Sequence, residues 1–208
     1  MNTVLITGAY GQLGESCTKY LKNDFNIIST GRNALDGGIQ LDITYPDSIR
    51  RVLEETNPDV ILNLAAMTNV DGCETIPEMA ESINLDGVKN LCNGFDGHFF
   101  QISTDYVFDG TEGPYSESDE TNPVSVYGKT KLAADKWLME NHEKTTILRA
   151  NVVYGYTKRT KASFVKWVFD SLTNGKQINV VNDQWNNPTW TESIATVISK
   201  LIEEKAKG

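Results

Sequence analysis

Residues 3–21, TVLITGAYGQLGESCTKYL, run from a short β-branched strand through Gly8, Gly11 and Gly14 into a helix. The apolar Leu13, Cys17 and Leu21 of that helix share one side. Glycines at this spacing let the backbone turn sharply and come close to a pyrophosphate, whose charge is met by the free amides of a helix N-terminus. The pattern is G-x-x-G-x-x-G, a variant of the dinucleotide fingerprint, and it lies between a strand and a helix as that mechanism requires.

The strand-then-helix pattern repeats along the chain. A second strand, FNIIST at 25–30, leads into Gly31 and Arg32. An NAD-preferring site places an acid here for the ribose 2′-hydroxyl, whereas this segment offers Ser29, Thr30 and Arg32. A guanidinium and hydroxyls suit a 2′-phosphate, so NADP(H) is expected, with NAD(H) as the alternative. Leu41, Asp42 and Ile43 precede a helix entered through Pro46 and running over 46–56; Asp42 either caps that edge or touches adenine. PDVILNLAAMTNVDGCE, 58–74, is an apolar strand ending in Ala65 and Ala66, small enough for a cofactor ribose to pass near the backbone, with Thr68 just beyond.

One long helix is predicted over 75–92, with Met79, Ile83, Val88 and Leu91 as its inward stripe and Asn84 as a satisfied polar residue. HFFQIST and TTILRANVVYG read as further strands, and QINVVNDQWNNPTW as a last strand and loop. TESIATVISKLIEEK reads as a closing amphipathic helix. Such alternation implies an α/β, doubly wound parallel sheet of Rossmann type, a single domain over 1–208 with ligands at the strand C-terminal ends. His98 and His142 have no ligand partner at useful spacing and are read as structural; no metal is expected.

The chemistry falls in residues 102–131, ISTDYVFDGTEGPYSESDETNPVSVYGKTK. A buried strand ends, a polar loop follows, and a helix restarts at KLAADKWLMEN, so strand-end hydroxyls of Ser103 or Thr104 face Tyr127, with Lys131 four residues on. A free phenol ionises near pH ~10, and a nearby ammonium makes it a better acid or base at neutral pH. Thr104 is then placed to hold a substrate oxygen, so the trio suits proton transfer at a carbonyl. Tyr154 and Lys158 repeat the spacing without a strand-end hydroxyl ahead of them and are a decoy.

At 39% hydrophobic, 208 residues can bury one good core. With 28 acidic against 19 basic residues and a net charge of −9, neither a nucleic acid nor an anionic membrane is an expected partner. Three cysteines without C-x-x-C spacing fit a reducing cytoplasm, and no leader or membrane-length apolar run is read. Lys158, Arg159, Lys161 and Lys166 form a local basic cluster, either an anion site suited to a sugar-nucleotide diphosphate or a solvated face.

TGAYGQLG, DIT, AAMTNVDGCE, ISTDYVFDG, PYSESDETNP, VYGKTKL and DQWNNPTW together resemble extended short-chain dehydrogenases of the dTDP-4-dehydrorhamnose reductase type. The resemblance implies NADP(H)-dependent reduction of a 4-keto group on a nucleotide sugar, with Thr104, Tyr127 and Lys131 as the catalytic set. Around the cofactor it implies Gly8, Gly11, Gln12, Leu13, Gly14, Asp42, Ile43, Ala65, Ala66 and Thr68, with Thr30 and Arg32 added from the ribose reading. Candidate substrate contacts are Asp105, Asn151, Arg159 and Lys161, and the substrate-binding elements are placed at 151–190. Two departures stand out. Asn151, Val152 and Val153 stand where the family commonly has Ser-Trp-Val, and with one helix after DQWNNPTW either a reduced C-terminal substrate-binding part or a different substrate is expected. The same resemblance includes the regulatory subunit of methionine adenosyltransferase, which binds NADP and a partner enzyme, so a homodimer or partner enzyme enters the expectations. Nucleotide-sugar epimerases and dehydratases are a third reading, but dehydratases place Asp-Glu after the hydroxyl residue where this chain has Asp105 and Tyr106.

Overall fold

A computed structural model describes residues 1–35, 37–157 and 164–208. Its centre is a parallel sheet of β1 (Thr3–Thr7), β2 (Asn26–Gly31), β3 (Ile39–Gln40), β4 (Val60–Asn63), β5 (His98–Thr104) and β6 (Thr145–Ala150), in the order β3-β2-β1-β4-β5-β6. β1 pairs on one side with β2 (Val4 opposite Ile27) and on the other with β4 (Val4 opposite Val60). The order reverses direction beside β1, and in open α/β sheets the ligand crevice forms at such a point. The doubly wound Rossmann-type sheet expected from the strand-helix alternation is therefore present.

The strand side chains alternate between two covered faces, as a period of two demands. Val4, Ile6, Val60, Leu62 and Phe100 pack on Cys17 and Leu21 of α1 (Gln12–Leu21) and on Ile194, Ile198 and Ile202 of α8 (Thr191–Glu204). The opposite face carries Leu5, Ile61 and Phe99. These pack on Ile49 and Val52 of α2 (Pro46–Thr56), Val88 and Leu91 of α5 (Gly87–Cys92), and Ala134 and Leu138 of α6 (Val126–Asn141). Each large side chain so buried contributes roughly 1.5–3 kcal/mol, and the two layers together hold the strand ends that build the site.

Three expectations change. The helix expected over 75–92 is divided into α3 (Val70–Thr75), α4 (Pro77–Glu81), a π-helical turn (Ser82–Asp86) and α5. Pro77 has no amide to continue α3, and Met79 of the supposed inward stripe is 47% exposed. The strand expected in QINVV does not form: Val180 and Val181 are exposed and unpaired, and the short β8 (Thr189–Trp190) pairs instead with β7 (Val153–Tyr154). A period-two pattern makes a strand only where a neighbour accepts its backbone bonds. Finally, α6 starts at Val126 rather than Lys131. Ser125 Oγ accepts from the Gly128 amide at 3.0 Å as N-cap, which puts Tyr127 inside the first turn. α7 (Phe164–Thr173) carries Lys166, which pairs with Asp170 at 2.6 Å. Lys158, Arg159 and Lys161 lie outside the described residues. Among the described residues no helix is long and apolar enough to cross a membrane.

Candidate active site

The turn after β1 has the form its glycines demand. Gly8 adopts φ +62°, and a side chain there would meet the Leu64–Ala65 backbone at 3.0 Å. Gly11 is the N-cap of α1 and brings no side chain to satisfy the first amides, the first helical bond running from the Glu15 amide to the Gly11 carbonyl at 2.9 Å. Those early amides and the positive end of α1 face the cleft, the environment a phosphate group needs. At Gly14 a methyl group would sit 2.4 Å from the Gly8 carbonyl oxygen, so the helix can close on the turn only without one.

From this turn a cleft of about 1130 Å³ runs across the strand ends. Gly8, Gly11, Gln12, Leu13, Gly14, Arg32, Asp42, Ile43, Ala65, Ala66 and Thr68 line one end, and Thr104, Asp105 and Tyr127 line the other. Two residues expected at the ligand make scaffold bonds, Gln12 while still lining the cleft. Thr30 is fully buried with its hydroxyl donating to the Ile6 carbonyl at 3.0 Å, and the Gln12 amide donates to the Gly155 carbonyl at 2.7 Å. Asp42 Oδ1 accepts from the Thr44 amide and hydroxyl, the edge-capping alternative, while still lining the cleft.

The choice between Ser103 and Thr104 is decided by strand alternation. Thr104 and the Tyr127 phenol both line the cleft, and the Thr104 hydroxyl acts on the phenol to hold its pKa down. Thr104 Oγ1 also meets Asp105 Oδ1 and accepts from the Tyr106 amide, both at 3.2 Å. Ser103 Oγ donates to Asp135 Oδ2 inside the protein. Burial pushes the Tyr127 phenol up to about 12, with the Asp105 carboxylate adding to the rise and the Thr104 hydroxyl opposing it. Asp105 is itself raised, by desolvation. Lys131 is 2% exposed, and its ammonium donates to the Ile102 carbonyl at 2.6 Å rather than lying against the phenol. Burial lowers its pKa to about 8, opposed by the Asp135 carboxylate.

Tyr106 and Asp135 were not singled out in the sequence. The Tyr106 ring meets Tyr127 edge to face, 5.7 Å between centroids, and its carbonyl comes so close to Gly128 that a side chain there would collide at 2.2 Å. The signals were present: an aromatic two residues past Thr104, and an acid four residues past Lys131. On the far wall, Val152 lines the cleft at φ +32°, a conformation β-branched residues rarely adopt. The neighbouring Asn151 does not line it, and its buried Oδ1 has no hydrogen-bond partner among the described residues. His98 Nε2 meets Thr146 Oγ1 at 2.8 Å, and Asn84 bonds the Met67 backbone and Thr130, so both are structural as read.

The family model described as RmlD substrate binding domain matches residues 1–208. The chain belongs to this family. Among RmlD-family relatives, it is 37% identical to a dTDP-4-dehydrorhamnose reductase of Aggregatibacter actinomycetemcomitans, covering 100% of this chain and 70% of that one. It is 35% identical to the methionine adenosyltransferase 2 subunit beta of Bos taurus, covering 97% of this chain and 62% of that protein. The dTDP-4-dehydrorhamnose reductase of Bacillus anthracis, solved in complex with NADP, superposes with a TM-score of 0.91 at 32% identity, over 100% of this chain and 72% of that chain. This RmlD-family chain thus spans about three fifths of the methionine adenosyltransferase subunit's length and about seven tenths of the reductases'.

Proposed function

We propose that this chain carries the NADP(H) site and catalytic centre of a reductase acting on the 4-keto group of a nucleotide sugar. The observation that carries the reading is the meeting of Thr104 and Tyr127 at one end of a cleft whose other end is the glycine turn. The turn fits a dinucleotide: its positive-φ glycine, uncapped helix amides and clearance at Gly14 form a cradle that any side chain would fill. Arg32 at the cleft edge, with no acid beside it on β2, favours NADP(H) over NAD(H).

A dinucleotide held by Gly8, Gly11 and the first amides of α1 would supply the hydride for the sugar carbonyl carbon. The chain's own residues manage the proton. A phenol held near 12 keeps its proton at neutral pH, so Tyr127 acts as the acid, passing that proton to the carbonyl oxygen as charge develops there. The Thr104 hydroxyl bonds the same oxygen and fixes its direction. Lys131, expected to tune the phenol and hold the cofactor ribose, keeps its ammonium buried at the Ile102 carbonyl and is not part of the cleft lining. Asp105 borders the sugar.

Tyr127→Phe keeps the ring and removes the acid. Turnover of NADPH with a dTDP-4-keto sugar is expected to fall by ~100-fold or more with NADPH affinity little changed. Unaltered turnover would take Tyr127 out of the mechanism. A second reading, an NADP-binding regulatory subunit, is favoured by Lys131 facing Ile102 rather than the phenol. It predicts NADPH binding by the wild type with no oxidation by any 4-keto nucleotide sugar.

A further inference from the structure

Lys131 and Asp135 stand one helical turn apart on the buried side of α6, 2% and 3% exposed. Asp135 does not reach the cleft, and its contacts resemble no ordinary core pairing. Oδ2 accepts from Ser103 Oγ, while Oδ1 is buried without a hydrogen-bond partner among the described residues. A carboxylate removed from water and only half bonded is a standing cost, and an apolar side chain of similar size would avoid it. What the acid offers in return is a negative charge one helical turn from a desolvated ammonium whose hydrogen bond goes to the Ile102 carbonyl.

We propose that Asp135, fixed by Ser103 one helical turn from Lys131 and beyond ion-pair contact with it, is the counter-charge that keeps Lys131 an ammonium at the Ile102 carbonyl, a positioning role for the reaction described above. The strand end then serves both halves of the site. Thr104 faces the phenol on the cleft side and Ser103 faces the acid on the other, so a single strand carries the proton donor's partner and the lysine's counter-charge. The direction of the electrostatics agrees: burial lowers Lys131 and the Asp135 carboxylate opposes it. Asp135 is itself raised by desolvation, with Lys131, Ser103 and the Arg149 guanidinium of β6 pulling the other way. One turn earlier on α6, the titratable groups around Tyr127 are Asp105 beyond the end of β5, Cys73 of α3 and Tyr106, and Glu74 accepts from the Val126 amide at the exposed helix start.

The test titrates the lysines directly, by the 13Cε shifts of lysine-labelled full-length protein in the wild type, Asp135→Asn and Ser103→Ala. The proposal rests on the reductase reading only for its consequence, because this titration needs neither substrate nor turnover. In Asp135→Asn the Lys131 resonance should titrate at least about one pH unit lower than in the wild type, a tenfold loss of ammonium at fixed pH. Ser103→Ala should move it the same way by less, and it keeps the question answerable if the Asn variant does not fold. Where turnover is observed, the alkaline limb of its pH profile should move down with the resonance, and Asp135→Glu should restore it. A Lys131 titration unmoved in whichever variants fold, or a turnover loss in Asp135→Asn that is equal at every pH, overturns the assignment. A wild type that binds NADPH and reduces nothing would defeat the reductase reading and leave the lysine result standing.

Discussion

Gly14 lies with its α-carbon where a methyl group would press on the Gly8 carbonyl oxygen at 2.4 Å and on the Ala9 carbonyl group at 2.6 Å. Both contacts are backbone, so neither can swing aside as a flexible side chain would. Gly14→Ala should therefore cost about 1–3 kcal/mol, the scale of overpacking, and weaken NADPH binding with it; urea denaturation and a cofactor titration read the two effects. His98 marks a different kind of residue effect. Its ring stacks on Phe100 at 4.4 Å, and burial lowers its pKa below the ordinary value; His142 shifts in the same direction. The unfolded chain then takes up protons near pH ~6.5 that the folded chain refuses, so stability is full above that value and declines as pH falls through it. The urea midpoint should drop between pH 7.5 and 5.5, and drop less in His98→Asn. The glycines were legible in the sequence because their role is a backbone property tied to spacing. Thr30 was not, because a hydroxyl at a strand end reads alike whether it faces the ligand or, as here, the Ile6 carbonyl.

At the scale of elements, the strands and most helices could be read because their apolar periods match the two covered faces, as the pairing of Val4 and Ile6 on one side with Leu5 on the other shows. The segment around Asn84 could not. The π-helical turn Ser82–Asp86 holds the Asn84 side chain in the interior. There it accepts from the Met67 amide at 2.8 Å and donates to the Met67 carbonyl at 3.2 Å and to Thr130 at 3.1 Å. Those bonds join the loop after β4 to α6, a tertiary role invisible to a helical period. Asn84→Ala would leave the Met67 amide and carbonyl without their partner, and a loss of about 1–3 kcal/mol is expected by denaturation. The absent QINVV strand has the same origin: its pattern was sound, but no strand among the described residues lies beside Val180 and Val181 to pair with them.

For the whole molecule, the sheet order brings the residues scattered between Gly8 and Tyr127 onto one cleft at the strand C-terminal ends. Chain order and strand alternation were enough to expect that gathering, including the facing of a β5 hydroxyl and the α6 phenol. The position of Lys131 was not legible, because whether a buried ammonium meets the phenol or, as here, the Ile102 carbonyl is set by the packed interior. The cleft's proposed occupant underlies every role assigned here, so a fluorescence titration of NADPH with the purified chain is the most direct test. Saturable binding at one site per chain is predicted, with a Kd in the range of roughly 1 μM to 1 mM usual for enzyme ligands, weakened in Gly14→Ala. An NADPH signal that never saturates, or one indifferent to the glycine turn, would contradict the account.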